Sequence, residues 1–327
     1  MSAPVVRTVG ALADDVRPAV EALAAEVSAA DAATALSEDA VLRLRTGGSD
    51  VTHLLVGGPG GPGGPSGLRG YAQLVTGPHG TEGELLVAPA ARRAGLGRLL
   101  LDTAVEVAAG APTTLWSHGD TPGAVALAAR TGWTRSRELL RLERPVAGLL
   151  DLEVPALPDG LVVRPFRPGA DDEAWVALNA AAFATHPEQG RWTVQDLRLR
   201  LDEPWFDPAV FLVAESTTDG DAPAGALVGF CWMKSAPHAA ELYVLGVAPG
   251  RGGHGLGRAL LVRGLRAVAT GAATPGSVAP GSDVPGSAVP GVVELYVDGD
   301  NVPAVRLYER LGFGRAAVDV QYSSPTA

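Results

Sequence analysis

The sequence predicts an α/β protein made of two tandem domains, each with a mixed central β-sheet flanked by helices. Its 327 residues are enough for two domains with ordinary hydrophobic cores. The stretch LLVAPAARRAGLGRLLL at 85–101 aligns with LGVAPGRGGHGLGRALL at 245–261, at an offset of 160. Downstream, 114–133 aligns with 294–313 at an offset of 180. The repeat places the first domain at residues 1–148 and the second at residues 160–327.

Both copies present the same elements in the same order. Each begins with a short apolar strand, an Ala-Pro turn, a glycine loop and a helix, followed by a second strand, an Asp-containing turn and a second helix. In the second copy, one face of the first helix carries the leucines expected in the core, which are Leu256, Leu260, Leu261 and Leu265. Its second helix has residue types typical of a cap, a first turn and a helix end, at Asn301, Pro303 and Gly312.

The composition excludes several classes of function. The formal net charge of −10 and the pI near 5.1 oppose nucleic-acid binding, which needs a basic surface. A single cysteine, Cys231, excludes an internal disulfide and a cysteine-built metal site, and no metal is predicted. The first residues lack the pattern of a signal peptide, and no apolar run is long enough to span a membrane. We therefore expect a cytoplasmic, monomeric protein whose partner is a small molecule.

The glycine loop of the second copy contains two overlapping phosphate-binding patterns. Residues 250–255 fit G-x-G-x-x-G, the dinucleotide fingerprint, but residues 90–95 of the first copy do not. An acidic residue about 20 positions further on, which a dinucleotide site requires, is also missing. What the copies share is Gly-Leu-Gly-Arg at 95–98 and 255–258, which opens a helix and directs backbone N–H groups at an anion such as a pyrophosphate. This comparison favours a group-transfer enzyme over a redox enzyme.

This order of elements resembles the GCN5-related N-acetyltransferase (GNAT) family, whose glycine loop grips the pyrophosphate of acetyl-CoA. The loop motif of the family consists of Gln or Arg, then any two residues, Gly, any one residue, and finally Gly or Ala. The first copy fits this motif from Arg92 to Gly97. The second copy has Gly252 at the first position, so it lacks the Gln or Arg side chain there and keeps only the backbone N–H groups of the loop. Longer stretches resemble the members that acetylate the cysteine amine of cysteinyl-glucosaminyl-inositol. They are AAFATHPEQGRWT (181–193), EPWFDP (203–208), GFCWMK (229–234), ELYVLGVAP (241–249) and LYVDGDNVPAVRLYERLGF (295–313).

The resemblance implies that acetyl-CoA is the co-substrate, that the second copy is catalytic, and that the first copy binds acetyl-CoA without turnover. In the second copy the implied cofactor-binding residues are Leu245, Gly246, Val247, Gly252, Gly253, His254, Gly255, Leu256, Gly257, Arg258, Asn301, Val302, Pro303, Ala304, Val305 and Arg306. In the first copy they are Leu85, Leu86, Val87, Arg92, Arg93, Gly95 and Gly97.

Two residues of the second copy are candidates for the chemistry. Glu241 lies on the strand before the glycine loop, and its position suits a general base, although an exposed glutamate at a strand end is the simpler reading. Tyr308 suits a hydrogen-bond or proton donor to the departing thiolate, although its helical spacing also suits core packing. Full proton transfer from a phenol to a thiolate is uphill by about 2 kcal/mol. The offsets give Thr81 and Ala128 as the counterparts in the first copy, which supports a single catalytic copy.

The substrate pocket is expected to contain carboxylates and fixed donors, because the substrate is a polyol that carries an ammonium. The resemblance places Glu38, Glu188, Lys234, Glu241 and Tyr296 there. Lys234 stands out because it is the only lysine in a chain whose composition indicates a high-GC bacterium. Glu38 also reads as an acidic residue at a helix start and Glu188 as a loop carboxylate.

Two other functions remain open from the sequence. One is an acetyltransferase for another small amine or an aminoglycoside. The other is an acetyl-CoA-binding module without turnover, which the presence of Glu241 and Tyr308 in only one copy disfavours.

Overall fold

A computed structural model describes residues 6–57, 67–184, 189–219, 222–235, 239–271 and 291–325. The chain forms two compact units. Unit 1 comprises Met1–Leu140, Asp298–Asp300 and Ala317–Ala327, and unit 2 comprises Arg141–Val297 and Asn301–Ala316. The predicted fold class is confirmed, since mixed sheets and helices make up both units. The sequence predicts two continuous domains, 1–148 and 160–327, whereas each compact unit is built from separate segments of the chain. The predicted domain boundaries therefore stay a prediction.

The described residues of the first part of the chain form six strands and four α-helices. They are β1 (Val6–Val9), α1 (Arg17–Asp31), α2 (Glu38–Thr46), β2 (Val51–Gly57), β3 (Leu68–Gly77), β4 (Gly80–Val87), α3 (Leu96–Val107), β5 (Thr113–Ser117), α4 (Pro122–Thr131) and β6 (Thr134–Pro145). Within unit 1 the strand order is β1-β2-β3-β4-β5, and all neighbours are antiparallel apart from the parallel pair β4–β5. The parallel pair is connected through α3, as the repeat predicts.

The second part of the chain repeats this arrangement. Its elements are β7 (Leu161–Pro165), α5 (Asp172–Ala182), α6 (Val194–Leu201), β8 (Phe211–Ser216), β9 (Leu227–Ser235), β10 (Ala239–Val247), α7 (Leu256–Ala269), β11 (Val292–Asp298), α8 (Val302–Arg310) and β12 (Gly314–Ser323). Within unit 2 the strand order is β11-β10-β9-β8-β7, with β10–β11 as the parallel pair.

The last strand completes the sheet of unit 1. β12 pairs antiparallel with β5, with Val320 opposite Ser117 and Tyr322 opposite Leu115. Val320 and Tyr322 are buried in the same hydrophobic core as the helices and strands of the first 140 residues. Unit 1 therefore uses a strand that lies about 200 residues further along the chain, which no local sequence pattern indicates.

An aromatic cluster holds the strands of unit 2 that carry the candidate site. Phe211 on β8 stacks on Trp232 on β9, with ring centroids 4.3 Å apart. Trp175 of α5 packs edge-on against Trp232 at 5.8 Å and against Phe230 at 5.1 Å. Aromatic pairs at these separations add to the stabilisation from burying their area. The cluster fixes β9, which is the antiparallel neighbour of β10 and its candidate base.

Candidate active site

The glycine loops of the two copies share left-handed backbone at two equivalent positions. Gly253 and Gly255 have φ of 82° and 83°, and their counterparts Arg93 and Gly95 have φ of 63° and 83°. A left-handed arginine is strained relative to a glycine. The loops differ further upstream, where Gly250 has φ of 80° and its counterpart Ala90 lies in a short 3₁₀ helix, Pro89–Ala91. The shared feature is therefore the turn immediately before the helix.

The loop of unit 2 leads directly into the N-terminus of α7. Added to Gly250, Gly252, Gly253 or Gly255, a Cβ atom would meet no heavy atom of the described residues within 4 Å, so this side of the loop is open. The first N–H groups of an α-helix have no partner within the helix and carry the positive end of its dipole. The predicted core leucines of α7 are buried, which confirms the predicted core face, and the helix begins at Leu256 with Gly255 as its N-cap. The arrangement suits a pyrophosphate.

The parallel ladder between β10 and β11 is short. Its Cα pairs run from Ala239↔Val292 to Leu242↔Leu295, and the next residue, Tyr243, is bulged out of register with β9. The predicted cofactor-binding stretch 245–247 follows the end of this ladder, within β10. Backbone groups at a place where two strands separate are suited to an extended polar ligand.

Glu241 lies at the centre of a small polar and aromatic cluster. Its carboxylate Oε2 is 3.9 Å from the ammonium Nζ of Lys234, which is its cross-strand partner on β9. The same ammonium lies 4.6 Å from the ring centroid of Trp205 and 5.5 Å from that of Tyr243. Cation–π contacts of this kind restrain an ammonium. Lys234 is thus held beside Glu241, and its predicted contact with the substrate remains a prediction.

Sequence reasoning missed Glu294, which is the Cα partner of Glu241 on β11. Arg141 Nη1 donates to Glu294 Oε2 at 3.3 Å, and Arg141 Nη2 lies 3.2 Å from Glu143 Oε1. Burial raises the pKa of Glu294 above its ordinary value, and the charge of Glu143 adds to this, whereas Arg141 and Lys234 oppose it. The signal in the sequence was the alternation of Glu294 with Tyr296 along one strand.

Tyr308 is buried on α8, and its ring packs against Phe313 with centroids 6.0 Å apart. Burial raises its pKa above that of free tyrosine, and the nearby Cys231 thiol adds to the effect. A phenol with a raised pKa is a weaker acid, so full proton transfer to a thiolate becomes less favourable than the ordinary values suggest. A hydrogen bond from the phenol is then the better role for this residue at a leaving thiolate.

The bulge at Tyr243 corrects the repeat alignment. β4 pairs with β3 without a register shift, so β10 has one residue more than β4 before the glycine loop. Glu241 pairs with Glu294 and Glu82 pairs with Thr114, which are equivalent ladder positions. The counterpart of Glu241 is therefore Glu82, and the prediction of Thr81 was wrong by one residue.

Glu82 has different neighbours from those of Glu241. Its cross-strand partner on β3 is Val75, whereas the partner of Glu241 is Lys234. The side-chain amide of Gln321 on β12 donates to Glu82 Oε2 at 3.2 Å. Unit 1 therefore keeps a carboxylate at the base position but places an amide against it.

The remaining predicted residues occupy varied positions. Glu38 is the first residue of α2, whose N-cap Ser37 accepts from Ala40 N, so Glu38 is an acidic residue at a helix start as its local pattern suggests. Tyr296 on β11 is 38% exposed. Asn301 caps α8 by accepting from Ala304 N at 3.3 Å, which confirms the predicted cap. Glu188 lies outside the described residues.

An ion pair attaches the glycine loop of unit 1 to α1. Arg92 Nη1 and Nη2 donate to the two carboxylate oxygens of Asp31 at 2.7 and 2.8 Å, and Arg92 Nε donates to Val87 O at 3.2 Å. A Cβ added to Gly97 would approach Leu127 Cδ2 at 3.1 Å, which a small shift of that flexible side chain would relieve. Arg92 thus holds the loop against α1.

A buried charged cluster in unit 1 was also missed from the sequence. His118 Nδ1 lies 3.0 Å from Asp319 Oδ2, and His118 Nε2 lies 3.5 Å from Glu84 Oε2. Both carboxylates are further satisfied by backbone donors, Gly119 N and Ser37 N. Burial alone lowers the pKa of His118, but its contacts with Asp319 and Glu84 outweigh this and raise the pKa to about 10. The cluster ties β12 to β4 and β5.

Two features are absent from the part of the chain that the structure describes. In the described ranges, no helix combines the length and apolar character needed to cross a membrane. The same part of the chain brings together no group of three or more His, Cys, Asp or Glu side chains able to hold a metal ion.

Comparison with known proteins places the chain in a class. Residues 207–315 match the model described as Acetyltransferase (GNAT) domain, and residues 63–133 match the Acetyltransferase (GNAT) family. A tandem GNAT protein from the clavulanic acid biosynthesis pathway aligns with a TM-score of 0.68 at 20% identity, covering 99% of each chain. A GCN5-related N-acetyltransferase from Sphaerobacter thermophilus aligns with a TM-score of 0.63 at 22% identity, covering 98% of this chain and 95% of its own. The two structures agree with the fold, and the class is the GNAT acetyltransferases.

Curated relatives define the family more closely. A mycothiol acetyltransferase from Kineococcus radiotolerans is 61% identical and covers 96% of this chain and 95% of its own length. A protein of the same name from Geodermatophilus obscurus is 43% identical and covers 98% of both chains. The chain belongs to the mycothiol acetyltransferase family.

Proposed function

We propose that this chain transfers the acetyl group of acetyl-CoA to the cysteine amine of cysteinyl-glucosaminyl-inositol, the last step in the synthesis of mycothiol. The observation that carries the proposal is the position of Glu241. It lies on β10, one residue before the β10–β11 ladder ends, on the strand that leads into the glycine loop. The family of the chain supports the choice of substrate. We further expect the enzyme to be cytoplasmic and monomeric.

The residues of unit 2 fit acetyl-CoA. The open glycine loop and the N-terminus of α7 would hold the pyrophosphate, and the backbone of 245–247 would hold the extended arm. The stretch 301–306 forms the cap and first turn of α8 and is proposed to contact acetyl-CoA as well. Pro303 has no N–H and Ala304 N donates to the cap Asn301, so this helix start offers fewer backbone donors than that of α7. When bound, acetyl-CoA supplies the thioester whose carbonyl carbon the amine attacks.

The protein side chains then take up one proton and stabilise one leaving group. The second proton that the nitrogen loses as the amide forms passes to solvent, which also protonates the departing thiolate. Glu241 accepts a proton from the substrate ammonium, directly or through a water molecule, because only the neutral amine is nucleophilic. Tyr308 donates a hydrogen bond where the carbon–sulfur bond breaks and negative charge develops on sulfur. Lys234, held 3.9 Å from Glu241, keeps a positive charge beside the base throughout. Its contacts with sugar or inositol hydroxyls belong to this proposal as well, together with those of Glu38, Glu188 and Tyr296.

Unit 1 is proposed to bind acetyl-CoA without turnover. Its loop shares left-handed backbone with the loop of unit 2 at Arg93 and Gly95, which supports binding through 85–87 and 92–97. It has Ala128 at the position of Tyr308 and an amide against Glu82, which supports the absence of turnover.

A panel of amines tests the proposed function. The protein is mixed with acetyl-CoA and, separately, with cysteinyl-glucosaminyl-inositol, glucosaminyl-inositol, cysteine and an aminoglycoside, and CoA and the acetylated amine are measured by chromatography with mass detection. We expect the first amine to have a kcat/KM at least 100-fold above that of the others. A preference for the aminoglycoside, or binding of acetyl-CoA with no transfer to any amine, would contradict the proposal.

A further inference from the structure

Four charged side chains form a row across the strands of unit 2. The row runs from Lys234 on β9 through Glu241 on β10 and Glu294 on β11 to Arg141 on β6. Residues that are paired across neighbouring strands point to the same face, and neighbouring strands are about 5 Å apart. The two carboxylates are therefore adjacent at the centre of the row, with one cation on each outer side.

This order of charges is unfavourable for folding. Like charges directly opposite each other on neighbouring strands destabilise a sheet. Arg141 is also shared with Glu143, so the cluster contains two cations and three carboxylates and has a net negative charge. The side chain of Glu294 is only 20% exposed, so water screens it weakly. A local arrangement that opposes stability at a site points to a ligand, here a cation.

We propose that Glu294 is a substrate-binding residue that holds the ammonium of the amine substrate against Glu241. The inference rests on the proposed function, in which Glu241 is the base. An ammonium has three donors and is satisfied by two carboxylates, one of which takes the proton while the other keeps the nitrogen in place. Arg141 fixes Glu294 from the outer side at 3.3 Å, as Lys234 lies beside Glu241 at 3.9 Å. The pair thus selects amines that arrive as cations.

Glu294→Gln tests the inference, with Glu143→Gln as the matched control. Both changes remove one charge and one carboxylate that contacts Arg141, but only Glu294 is paired with Glu241. For Glu294→Gln we expect the KM of the amine to rise about tenfold, with kcat and the KM of acetyl-CoA changed less than about threefold. Glu143→Gln should change the KM of the amine less than about twofold.

Inhibition by the acetylated product separates recognition of the ammonium charge from recognition of the rest of the substrate. The product lacks the ammonium, so its inhibition constant should be the same for the wild-type protein and Glu294→Gln. An unchanged KM of the amine in Glu294→Gln, an equal rise in Glu143→Gln, or a parallel rise in the inhibition constant of the neutral product would each overturn the inference. If Glu294→Gln does not fold, Glu294→Met, which is apolar and of similar length, takes its place with the same expectation.

The wild-type measurement keeps the two proposals apart. A wild-type protein that acetylates no amine contradicts the proposed function. An active wild-type protein whose Glu294→Gln variant has the same KM contradicts only the role of Glu294.

Discussion

Replacing His118 in unit 1 should remove a pH-dependent part of the protein's stability. A pKa of about 10 in the folded state against 6.5 in the unfolded chain means that the folded state binds the proton more tightly. Because the folded pKa is raised, this stability is fully present below pH 6.5 and is lost as the pH rises through 10. By linkage, the protonation contributes about 4 kcal/mol at pH 7 and between about 1 and 2 kcal/mol at pH 9.

Urea unfolding of the wild-type protein and of His118→Gln, followed by far-UV circular dichroism at pH 7 and pH 9, measures this loss. The difference between their free energies of unfolding should shrink by about 2 to 3 kcal/mol between the two pH values. His53→Gln is the matched control in the same unit. Burial lowers the pKa of His53 to about 4, so His53 is neutral in both states across this range, and its difference from the wild type should not change with pH.

A difference between the wild-type protein and His118→Gln that stays constant from pH 7 to pH 9 would refute the reasoning. It would mean that the imidazole is neutral in the folded protein and that Asp319 or Glu84 carries the proton instead. Titration of the His118 ring protons by NMR distinguishes these cases directly.

Four further variants, three in unit 2 and one in unit 1, test the proposed chemistry and the proposed division between the units. Glu241→Gln should lower kcat by roughly 100-fold or more, because a general base is lost, and the remaining rate should rise with pH; near-normal turnover at pH 7 would exclude Glu241 as the base. Gly257→Glu should abolish turnover in steady-state assays by placing a carboxylate against the pyrophosphate, whereas Gly97→Glu should leave it largely intact, and equal loss in two stably folded variants would contradict a silent unit 1. Lys234→Arg should raise the KM of the glycoside several-fold while leaving the KM of acetyl-CoA unchanged. An unchanged kcat/KM for the glycoside would show that Lys234 does not contact the substrate.

The local features of the fold followed from the sequence, whereas the pairings between distant strands did not. The helix cap at Asn301, the core face of α7 and the glycine loop each depend on residues within one or two turns of each other, so their spacing predicts them. The last strand belongs to unit 1 because of its pairing with β5, and His118 meets Asp319 across 201 positions. Contacts of this kind depend on register, which the spacing of residues along one strand does not reveal.

The candidate site shows the same limit at a single residue. The sequence placed Glu241 on the strand before the glycine loop, but it could not locate the bulge at Tyr243, because a bulge changes the ladder without changing the composition. Once the bulge is counted, Glu82 replaces Thr81 as the counterpart of Glu241. The neighbour Glu294 was missed for a separate reason, because the pairing of β10 with β11 joins residues more than 50 positions apart.

The corrected alignment changes how the division between the copies is explained. Both units keep a glutamate at the position of the proposed base and left-handed backbone at two equivalent loop positions, so neither feature separates the copy proposed to be catalytic from the other. What differs is the surroundings of that glutamate. Glu241 has an ammonium on one side and a second carboxylate on the other, whereas Glu82 faces Val75 and accepts a hydrogen bond from Gln321. An amide donor at that position competes with an incoming ammonium for the same carboxylate oxygen. In the proposed division of labour, the partners of this glutamate, together with Ala128 in place of Tyr308, account for the difference between the two copies.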